Sequence, residues 1–437
     1  MIKIGNKIKN IIERDKRVIM PTTREVFPFV PSHGKNDIVY DIEGNKFIDF
    51  SSFISVYNFG IGNEYIVNAI REQANKLIHA AFTDFYGVEQ VEFAEKLIKF
   101  MPNGFGKVFF SNSGTEANEA AIKFARLLNK RYYIIGFYNA FHGRTYGSLS
   151  LTASKAIQRA HLGPFVGSIH VPYPYPYRFK YGDEDECTNY VIDFIEENII
   201  NKEYSSDEIA AIMFEPIQGE GGYIVPPKNF FRELRKIADK YGILLIDDEV
   251  QAGYMRTGKF LALDNFNTKA DIYTFGKSAG GGVPIGITVT SNKLGTIPEG
   301  SHANTFGGNY LAIAGANATI DYINKNRFTL EREIKKKGEI IIKRLLEMQN
   351  KYELIGDVRG IGLMIGIELV KNKYTKEYAV KERDEVIKNA FYDGLLLLPA
   401  GKSSIRIIPP LTVSYENIEK GLEILENSIK KVNFKLK

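Results

Sequence analysis

Between residues 107 and 290 the chain alternates short, continuous apolar runs with amphipathic stretches of helical length. Unbroken apolar runs are typical of strands that are buried on both faces, with helices between them as covers. The pattern therefore predicts an α/β fold around a largely parallel sheet, in which a site lies at the carboxyl ends of the strands. The predicted strands are 107–110, 132–136, 210–215, 243–247, 271–275 and 285–290, with helices over 116–130 and 229–241.

The two flanks of this central region differ from it in character. Residues 327–351 have the pattern of a long charged helix, and strand-like and helical stretches follow it. We therefore expect three segments: an N-terminal segment over 1–60, a large domain over 61–325, and a smaller α+β domain over 326–437 against which the first segment packs. The 437 residues are sufficient for more than one hydrophobic core.

Composition and charge exclude several classes of protein. The chain is 44% hydrophobic and 25% charged, as in ordinary soluble globular proteins. A net charge of +5 is small for this length, so we expect no nucleic-acid partner, and no apolar run is long enough to predict a membrane span. One cysteine and the lack of a secretory signal pattern favour the cytoplasm. The six histidines are scattered, so we predict no metal site.

The motif that joins the first predicted strand to its helix has two interpretations. Ser113 and Glu116 have the spacing of a capping box, which would account for both residues structurally. Gly114 and Thr115 would also place backbone N–H groups and a hydroxyl at a helix N-terminus, which is a ready anion-binding site. From these residues alone, a cap and an anion site are equally good interpretations.

Further polar motifs follow two other predicted strands. Phe141, His142 and Arg144 come after the second strand, where Arg144 could clamp a carboxylate or simply be solvated. Glu215 and Glu220 lie among glycines after the third strand, an unusual composition for a mere turn. A structural salt bridge is the alternative interpretation for either glutamate.

Acids and a lysine end the next two strands. Asp247, Asp248 and Glu249 are consecutive after a buried strand, where unpaired carboxylates are costly and a buried one would suit a cation. Lys277 lies beside glycines at a strand end, where desolvation would lower its pKa and make it a usable nucleophile. Together the motifs supply an anion cradle, an aromatic ring, an acid and a reactive amine, as an aromatic phosphate cofactor requires.

In these motifs the sequence resembles the class III pyridoxal-phosphate aminotransferases, over about residues 20–425. The narrower likeness, through FHGRT and HVPYPYPYR, is to 4-aminobutyrate and related ω-amino-acid aminotransferases. The resemblance implies an aspartate-aminotransferase-like (PLP fold type I) large domain with a mostly parallel sheet, and a smaller α+β domain from both termini. The motifs are SGTEANEAAIKFAR at 113–126, EPIQGEGG at 215–222, DEVQ at 248–251, RTG at 256–258, GKSAGGGVPIG at 276–286 and TFGGN at 305–309.

The resemblance also implies pyridoxal 5'-phosphate as cofactor and assigns residues to it. Lys277 matches the Schiff-base lysine that also moves the proton, and Asp248, with Asp247 as a rival by adjacency, matches the acid that pairs with the pyridine nitrogen. Thr305 would reach the phosphate of the neighbouring subunit, which implies a homodimer with shared sites and leaves a tetramer open. The other implied cofactor-binding residues are Ser113, Gly114, Thr115, Phe141, His142, Glu215, Val250 and Gln251.

Four residues match substrate-binding positions of the family. Arg406 would bind the α-carboxylate of glutamate or 2-oxoglutarate, and Glu220 would neutralise Arg406 when the substrate lacks that group. Arg144 would hold the distal carboxylate, and Ile54 would line the pocket. The implied reaction is a ping-pong transfer of the amino group from an ω-amino acid, such as 4-aminobutyrate, to 2-oxoglutarate.

Three alternatives to this reaction stay open from the sequence. An ornithine or acetylornithine aminotransferase would use the same residues. An amino-acid racemase on the same scaffold would need no new motif. A cofactor-free binding protein is the third, but it would have no need for both Lys277 and Asp248.

Overall fold

The computed structural model describes residues 2–22 and 27–434, so the outer limits of the predicted terminal segments, residues 1 and 437, lie outside it. The chain divides into two compact units, one formed by Met1–Glu64 with Glu333–Lys437 and the other by Tyr65–Arg332.

Strands and helices are each numbered in chain order. The strands are β1 (Pro31–Lys35), β2 (Ile38–Asp41), β3 (Lys46–Asp49), β4 (Phe105–Ser111), β5 (Tyr133–Phe137), β6 (Ser168–Val171), β7 (Ile209–Phe214), β8 (Leu244–Asp248), β9 (Ile272–Phe275), β10 (Gly286–Ser291), β11 (Ile355–Ile361), β12 (Met364–Leu369), β13 (Leu395–Leu396), β14 (Leu398–Ala400) and β15 (Ser404–Ile407). The helices are α1 (Asn6–Val18), α2 (Glu64–Ala74), α3 (Val88–Ile98), α4 (Gly114–Asn129), α5 (Tyr146–Leu151), α6 (Glu184–Asp193), α7 (Phe230–Tyr241), α8 (Tyr310–Lys351), α9 (Val380–Tyr392) and α10 (Tyr415–Asn433).

The unit Tyr65–Arg332 is built on a seven-stranded sheet with the strand order β4-β10-β9-β8-β7-β5-β6. The strands from β9 through β6 pair in parallel, and β10 is antiparallel to both β9 and β4. Each strand that we predicted between residues 107 and 290 is present, with ends that differ by at most two residues. Strand β6 was not predicted, because its residues Ser-Ile-His-Val alternate polar and apolar side chains rather than form a continuous apolar run.

Helix α4 packs closely on this sheet because its buried face is made of small residues. Ala117, Ala120, Ala121 and Ala125 are fully buried and recur at helical spacing. At its start the Ser113 hydroxyl accepts the Glu116 N–H at 3.2 Å, as the predicted cap requires. The Glu116 carboxylate, however, accepts the N–H of Asn112 at 2.5 Å, so the reciprocal half of the predicted capping box is replaced by a bond one residue earlier.

The unit formed by both ends of the chain contains two small sheets. One has the order β1-β2-β3-β13, and the other is antiparallel with the order β11-β12-β15-β14. Helices α1 and α10 and strands β1 and β11 were not predicted. A turn at Ser52–Ser55 has positive φ at all four residues, a conformation that side chains disfavour.

Helix α8 begins at Tyr310 rather than at residue 327 as predicted. The Asn309 side chain accepts the N–H of Ala312 at 2.9 Å and so starts the helix earlier. Within the described residues no helix is both long and apolar enough to cross a bilayer.

Candidate active site

The polar motifs come together at one edge of the seven-stranded sheet. Strands β5, β7, β8 and β9 are parallel neighbours, so their carboxyl ends meet at that edge. Phe141, Glu215, Asp248 and Lys277 lie at or just after the ends of these four strands. The parallel pairing therefore places residues far apart in sequence beside one another, as expected for this type of sheet.

Asp248 is held as a charged side chain at the end of β8. Its Oδ2 accepts hydrogen bonds from Asn118 Nδ2 at 2.7 Å and from the His142 ring at Nδ1, also at 2.7 Å. Its Oδ1 accepts the backbone N–H of Val250 at 3.0 Å. The residue is only 3% exposed, so these donors replace the water that an ionised carboxylate needs.

The two side chains that hold Asp248 are themselves oriented. Asn118 donates to the backbone oxygen of His142 at 2.7 Å and accepts from the Thr274 hydroxyl at 2.6 Å. The backbone N–H of His142 donates to the Thr152 hydroxyl at 2.9 Å. Among the described residues the buried Nε2 of His142 has no hydrogen-bond partner, so the ring makes its hydrogen bond to Asp248 through Nδ1.

Lys277 follows β9 in a left-handed conformation, with φ at +48°. Its neighbour Gly276 allows a close backbone approach, since a Cβ there would lie 3.2 Å from the Cα and N atoms of Gly114. Gly114 in turn packs on Val250, whose Cγ1 would lie 2.6 Å from an added Cβ. These contacts place the loop of Lys277 against the N-terminus of α4, which in turn packs on Val250, two residues after Asp248.

A cluster of hydroxyls lies at the N-terminus of α4. The Thr115 hydroxyl is 2.6 Å from that of Ser148 and 3.1 Å from that of Thr145, and it accepts the Arg144 N–H at 3.2 Å. Gly143 has φ at +143°, and a Cβ there would lie 1.9 Å from the Thr115 hydroxyl. Hydroxyls and a helix N-terminus together suit an anion such as a phosphate.

Glu215 connects two of the motifs. Its Oε1 accepts the N–H of Phe141 at 2.9 Å, and its Oε2 accepts the N–H of Gly219 at 2.8 Å. Burial raises the pKa of this carboxyl to about 7. The nearby His142 ring and the two N–H groups lower the pKa, but by less than burial raises it. Its position thus links the loop after β5 to the loop after β7.

Gln251 and Phe141 complete the surroundings of this edge. The Gln251 side chain accepts a hydrogen bond from Tyr223 at 2.7 Å, and its Nε2 would lie 2.3 Å from a Cβ at Gly219. Phe141 is partly buried, and the guanidinium of the exposed Arg144 lies 5.7 Å from the centre of its ring. The Arg144 guanidinium is thus close enough to the Phe141 ring for a cation–π contact, and it remains exposed.

Asp247, the rival of Asp248, lies in a different environment. It is fully buried, and it interacts with the equally buried Glu249 on the same side of β8. Burial, and next the neighbouring carboxyl, raise the pKa of Asp247 far above its usual range, and burial also raises that of Glu249. A neutral acid cannot form an ion pair with a pyridinium nitrogen, so the geometry favours Asp248 for that role, which stays a prediction.

Four further predicted site residues have the following surroundings. Glu220 accepts a hydrogen bond from Lys155 at 2.6 Å, and Thr305 is exposed beyond the end of β10. In the other unit, Arg406 lies in β15, is 4% exposed and donates to the Pro399 oxygen at 2.7 and 3.0 Å. Ile54 is 39% exposed in the left-handed turn.

Several residues of this site were not assigned a role from the sequence. Asn118 was within a recognised motif, and its spacing of four residues from Gly114 places both on one face of α4. Thr152, Ser148 and Thr274 gave no signal, because single hydroxyl residues are common everywhere. In the described part of the chain no group of three or more His, Cys, Asp or Glu side chains could hold a metal ion.

The residues present fit pyridoxal 5'-phosphate. The charged Asp248 is suited to a protonated ring nitrogen, and the hydroxyl cluster at α4 is suited to the phosphate. A Cβ at Gly143 would collide with that cluster, so the glycine leaves the hydroxyls accessible. Lys277 provides an amine on the loop that touches the same helix end.

Comparisons with known proteins agree with this geometry. The family model described as Aminotransferase class-III matches residues 19–429. The chain is 40% identical over 424 residues to the leucine/methionine racemase of Thermococcus litoralis, covering 96% of this chain and 95% of the relative. It is 35% identical over 421 residues to the 5-aminovalerate aminotransferase of Pseudomonas aeruginosa, covering 95% and 97%.

Solved structures extend the similarity to the fold. The taurine:2-oxoglutarate aminotransferase of Bifidobacterium kashiwanohense, solved with PLP and glutamate, has a TM-score of 0.91 at 28% identity, over the whole of both chains. The predicted fold class and cofactor are thereby confirmed. The chain belongs to the class III aminotransferase family and is a pyridoxal-phosphate-dependent enzyme with the transaminase fold.

Proposed function

We propose that the enzyme transfers the amino group of an ω-amino acid of the 4-aminobutyrate type to 2-oxoglutarate, in two half-reactions. The observation that carries the proposal is that Asp248 and Lys277 lie at the ends of neighbouring parallel strands, at the same edge of the sheet. Asp248 is fixed by three hydrogen bonds, and the loop of Lys277 packs on the start of α4. Transamination needs both an amine that moves a proton and a fixed negative charge at the ring nitrogen.

Each residue has a distinct task in this proposal. Bound pyridoxal phosphate supplies an electron sink for the bond that breaks at the substrate carbon. The Lys277 amine would take the proton from that carbon and deliver it to the cofactor carbon that receives the amino group. Asp248 keeps the proton on the ring nitrogen, and Thr115 orients the phosphate at the α4 N-terminus. Phe141 and Val250 would flank the ring, and Gln251 would donate to its hydroxyl oxygen.

The substrate residues follow from the same proposal. Arg406 is a buried guanidinium that donates to a neutral carbonyl oxygen, and a guanidinium can bind a carboxylate through two hydrogen bonds. Arg144 is exposed beside Phe141 and is placed for a distal carboxylate. Ile54 would contribute apolar surface. The names of two similar proteins support the substrate classes, since one acts on 5-aminovalerate and the other on taurine with 2-oxoglutarate.

The proposal includes a homodimer with shared active sites. Thr305 and Phe306 are exposed, Phe306 by 59%. An exposed aromatic side chain next to a proposed phosphate ligand is suited to an interface between subunits. The partner subunit's Thr305 would then complete the phosphate site.

Racemisation of an α-amino acid is the second candidate. It is favoured by the 40% identity to a leucine/methionine racemase over nearly the full length of both chains. A racemase returns the proton to the opposite face of the same carbon and consumes no 2-oxo acid. Such an enzyme would use Lys277 and Asp248 in the same positions.

The absorption spectrum of the purified protein tests both candidates. We expect a yellow band from bound cofactor that bleaches with 4-aminobutyrate and returns with 2-oxoglutarate. A band that bleaches with ornithine or acetylornithine instead would replace the donor and keep the reaction. Loss of optical rotation from L-leucine or L-methionine without any oxo acid, with no return of colour on adding 2-oxoglutarate to bleached enzyme, would establish the racemase and overturn the transaminase.

A further inference from the structure

One buried hydroxyl, that of Thr152, connects the loop after β5 to helix α5. Thr152 directly follows α5 and is fully buried. Its hydroxyl accepts the backbone N–H of His142 at 2.9 Å and that of Gly143 at 3.2 Å. It also lies 3.0 Å from the carbonyl oxygens of Gly143 and Ser148, to either of which it can donate its proton. Since a hydroxyl has two lone pairs and one proton, its hydrogen-bonding capacity is fully used inside the protein.

The bond to His142 fixes the part of the site that holds Asp248. The backbone N–H of His142 is held by Thr152, and its backbone oxygen accepts from Asn118 at 2.7 Å. The ring of the same residue contacts Asp248 at 2.7 Å. A displacement of the His142 backbone would therefore move one of the donors that keep this buried carboxylate charged.

The bond to Gly143 fixes the part of the site that carries the hydroxyl cluster. Gly143 lies so close to this cluster that a Cβ there would be 1.9 Å from the Thr115 hydroxyl and 2.5 Å from that of Ser148. The next residue, Arg144, donates its N–H to the Thr115 hydroxyl at 3.2 Å. Because Thr152 contacts both Gly143 and the Ser148 carbonyl oxygen, it holds the loop and the helix that border the cluster.

Thr152 is itself anchored by contacts outside this group. The next residue, Ala153, forms two backbone hydrogen bonds with the loop after β5, at 2.9 and 3.2 Å. The Arg159 guanidinium donates to the Thr152 carbonyl oxygen at 3.1 Å. The hydroxyl is therefore a fixed point, and the position of the segment 142–143 is set from it.

We propose that Thr152 is a positioning residue that couples the two ends of the cofactor site. Its hydroxyl holds two consecutive N–H groups, one beside Asp248 and one beside the hydroxyl cluster. It thereby sets the spacing at which a ring nitrogen and a phosphate are bound together. The inference rests on the proposed function, in which Asp248 meets the ring nitrogen and Thr115 the phosphate. Without the hydroxyl, two buried N–H groups lose their acceptor and the segment shifts relative to both ends.

Equilibrium dialysis of the full-length protein with pyridoxamine 5'-phosphate tests the proposal. This compound carries the ring and the phosphate but forms no imine with Lys277, so its Kd reports the non-covalent contacts alone. Thr152→Val keeps the shape of the side chain and removes the hydroxyl, and we expect Kd to rise about tenfold. Thr152→Ser keeps the hydroxyl and loses the methyl group, and its Kd should stay within about twofold of the wild type. A serine variant as weak as the valine variant would overturn the proposal.

A matched control separates this effect from the general cost of removing a buried hydroxyl. Thr188 in α6 is also fully buried and donates to the Asn229 side chain at 2.7 Å, and neither residue belongs to the candidate site. Thr188→Val should lower stability to urea and leave the Kd unchanged, and an equal rise in both valine variants would overturn the proposal. If Thr152→Val does not fold, Thr152→Cys keeps a weak acceptor of similar size and should raise Kd about threefold.

Double variants test the coupling and separate the two proposals. Asp248→Asn changes one end of the site and Thr115→Val the other. In either background, the rise in Kd from Thr152→Val should be about threefold smaller than in the wild type, because the end it positions is already impaired. Rises that multiply in both backgrounds would overturn the coupling. If neither Asp248→Asn nor Thr115→Val alone weakens binding, the proposed cofactor contacts are refuted, together with the role that rests on them. If both weaken it and Thr152→Val does not, the role of Thr152 alone is refuted.

Discussion

Asp247 and Asp248 are consecutive carboxyls on one strand, yet their surroundings impose opposite charge states. Successive side chains of a strand point to opposite faces. Asp248 meets Asn118 and His142 on its face, and both donate to it. Asp247 shares its face with Glu249, and burial raises the pKa of both. The chemistry of an acid at this strand end is thus decided by the face it occupies rather than by its residue type.

The largest expected effect comes from removing the charge of Asp248 while Asp247 is left unchanged. Asp248→Asn keeps the shape of the side chain but cannot form an ion pair with a protonated ring nitrogen. We expect it to slow the amine half-reaction about 100- to 1,000-fold, a loss typical of a fixed electrostatic group in an active site. Asp247→Asn should stay within about threefold of the wild type, since the residue it replaces is already neutral. Single-turnover absorption measurements would show both rates, and similar losses would contradict the comparison.

The next effect is on stability, and it depends on pH. In the unfolded chain Asp247 ionises above about pH 4, whereas its raised pKa keeps it protonated in the folded protein. The unfolded state then binds fewer protons, so the stabilisation present at low pH is lost as the pH rises toward the folded pKa. Asp247→Asn removes this loss. Its advantage in free energy of unfolding over the wild type should grow by up to about 1.4 kcal/mol per pH unit.

Urea denaturation at pH 5, 6, 7 and 8 would measure that difference. Asp271→Asn serves as the opposite control, because Arg235 and Lys293 hold the pKa of Asp271 below its usual range despite its burial. That variant should lose stability relative to the wild type by an amount that does not vary between pH 5 and 8, because Asp271 is ionised in both the folded and the unfolded state over that range. A difference between Asp247→Asn and the wild type that does not vary with pH would show that Asp247 is charged in the folded protein.

A smaller effect is expected at His142, which we place as a positioning residue for Asp248. Asparagine can put an amide N–H near the position of Nδ1, whereas leucine cannot donate at all. His142→Leu should therefore lower kcat about tenfold, while His142→Asn should retain most of it. The pH profile of kcat should change in the leucine variant, because Asp248 then lacks one donor. Equal losses in both variants would mean that the ring acts through packing alone.

The smallest effect concerns the support behind Asn118. The Thr274 hydroxyl donates to Asn118 Oδ1 at 2.6 Å, which leaves the amide N–H groups for Asp248 and the His142 oxygen. Thr274→Val keeps the size of the side chain and removes that donor. We expect kcat to fall about threefold, and Thr274→Ser should preserve it. A valine variant as slow as Asp248→Asn would show that Thr274 has a more direct role.

Six of the seven strands of the large sheet could be predicted from their apolar runs, whereas β6 could not. The acids at 247 and 248 could not be separated in that way. Their order along the chain is visible, but the donors that distinguish them come from α4 and from the loop after β5. The same is true of Thr152, a threonine with no local signal whose hydroxyl bonds to N–H groups nine and ten residues earlier.

Prediction from the local sequence also failed at the starts of two helices, where a hydrogen bond had an alternative partner nearby. The spacing of Ser113 and Glu116 predicts a reciprocal cap, but the glutamate bonds to the N–H of Asn112 instead. The start of α8 was placed too late, because an asparagine cap and apolar small residues replace the charged pattern of its later turns. In both places hydrogen bonds of similar energy are available within a few residues, and the pattern does not rank them.

The order of residues along the chain was enough to predict the parallel sheet, the motifs at its strand ends and, through them, the family and its cofactor. The sheet follows from the apolar runs, and the family and its cofactor follow from the resemblance that the motifs carry. The folded arrangement was required to distinguish the charged acid from the neutral one, to find the side chains that hold it, and to connect the Thr152 hydroxyl to the loop after β5. Charge state and hydrogen bonding depend on burial and on distances of about 3 Å, and packing between distant segments sets both.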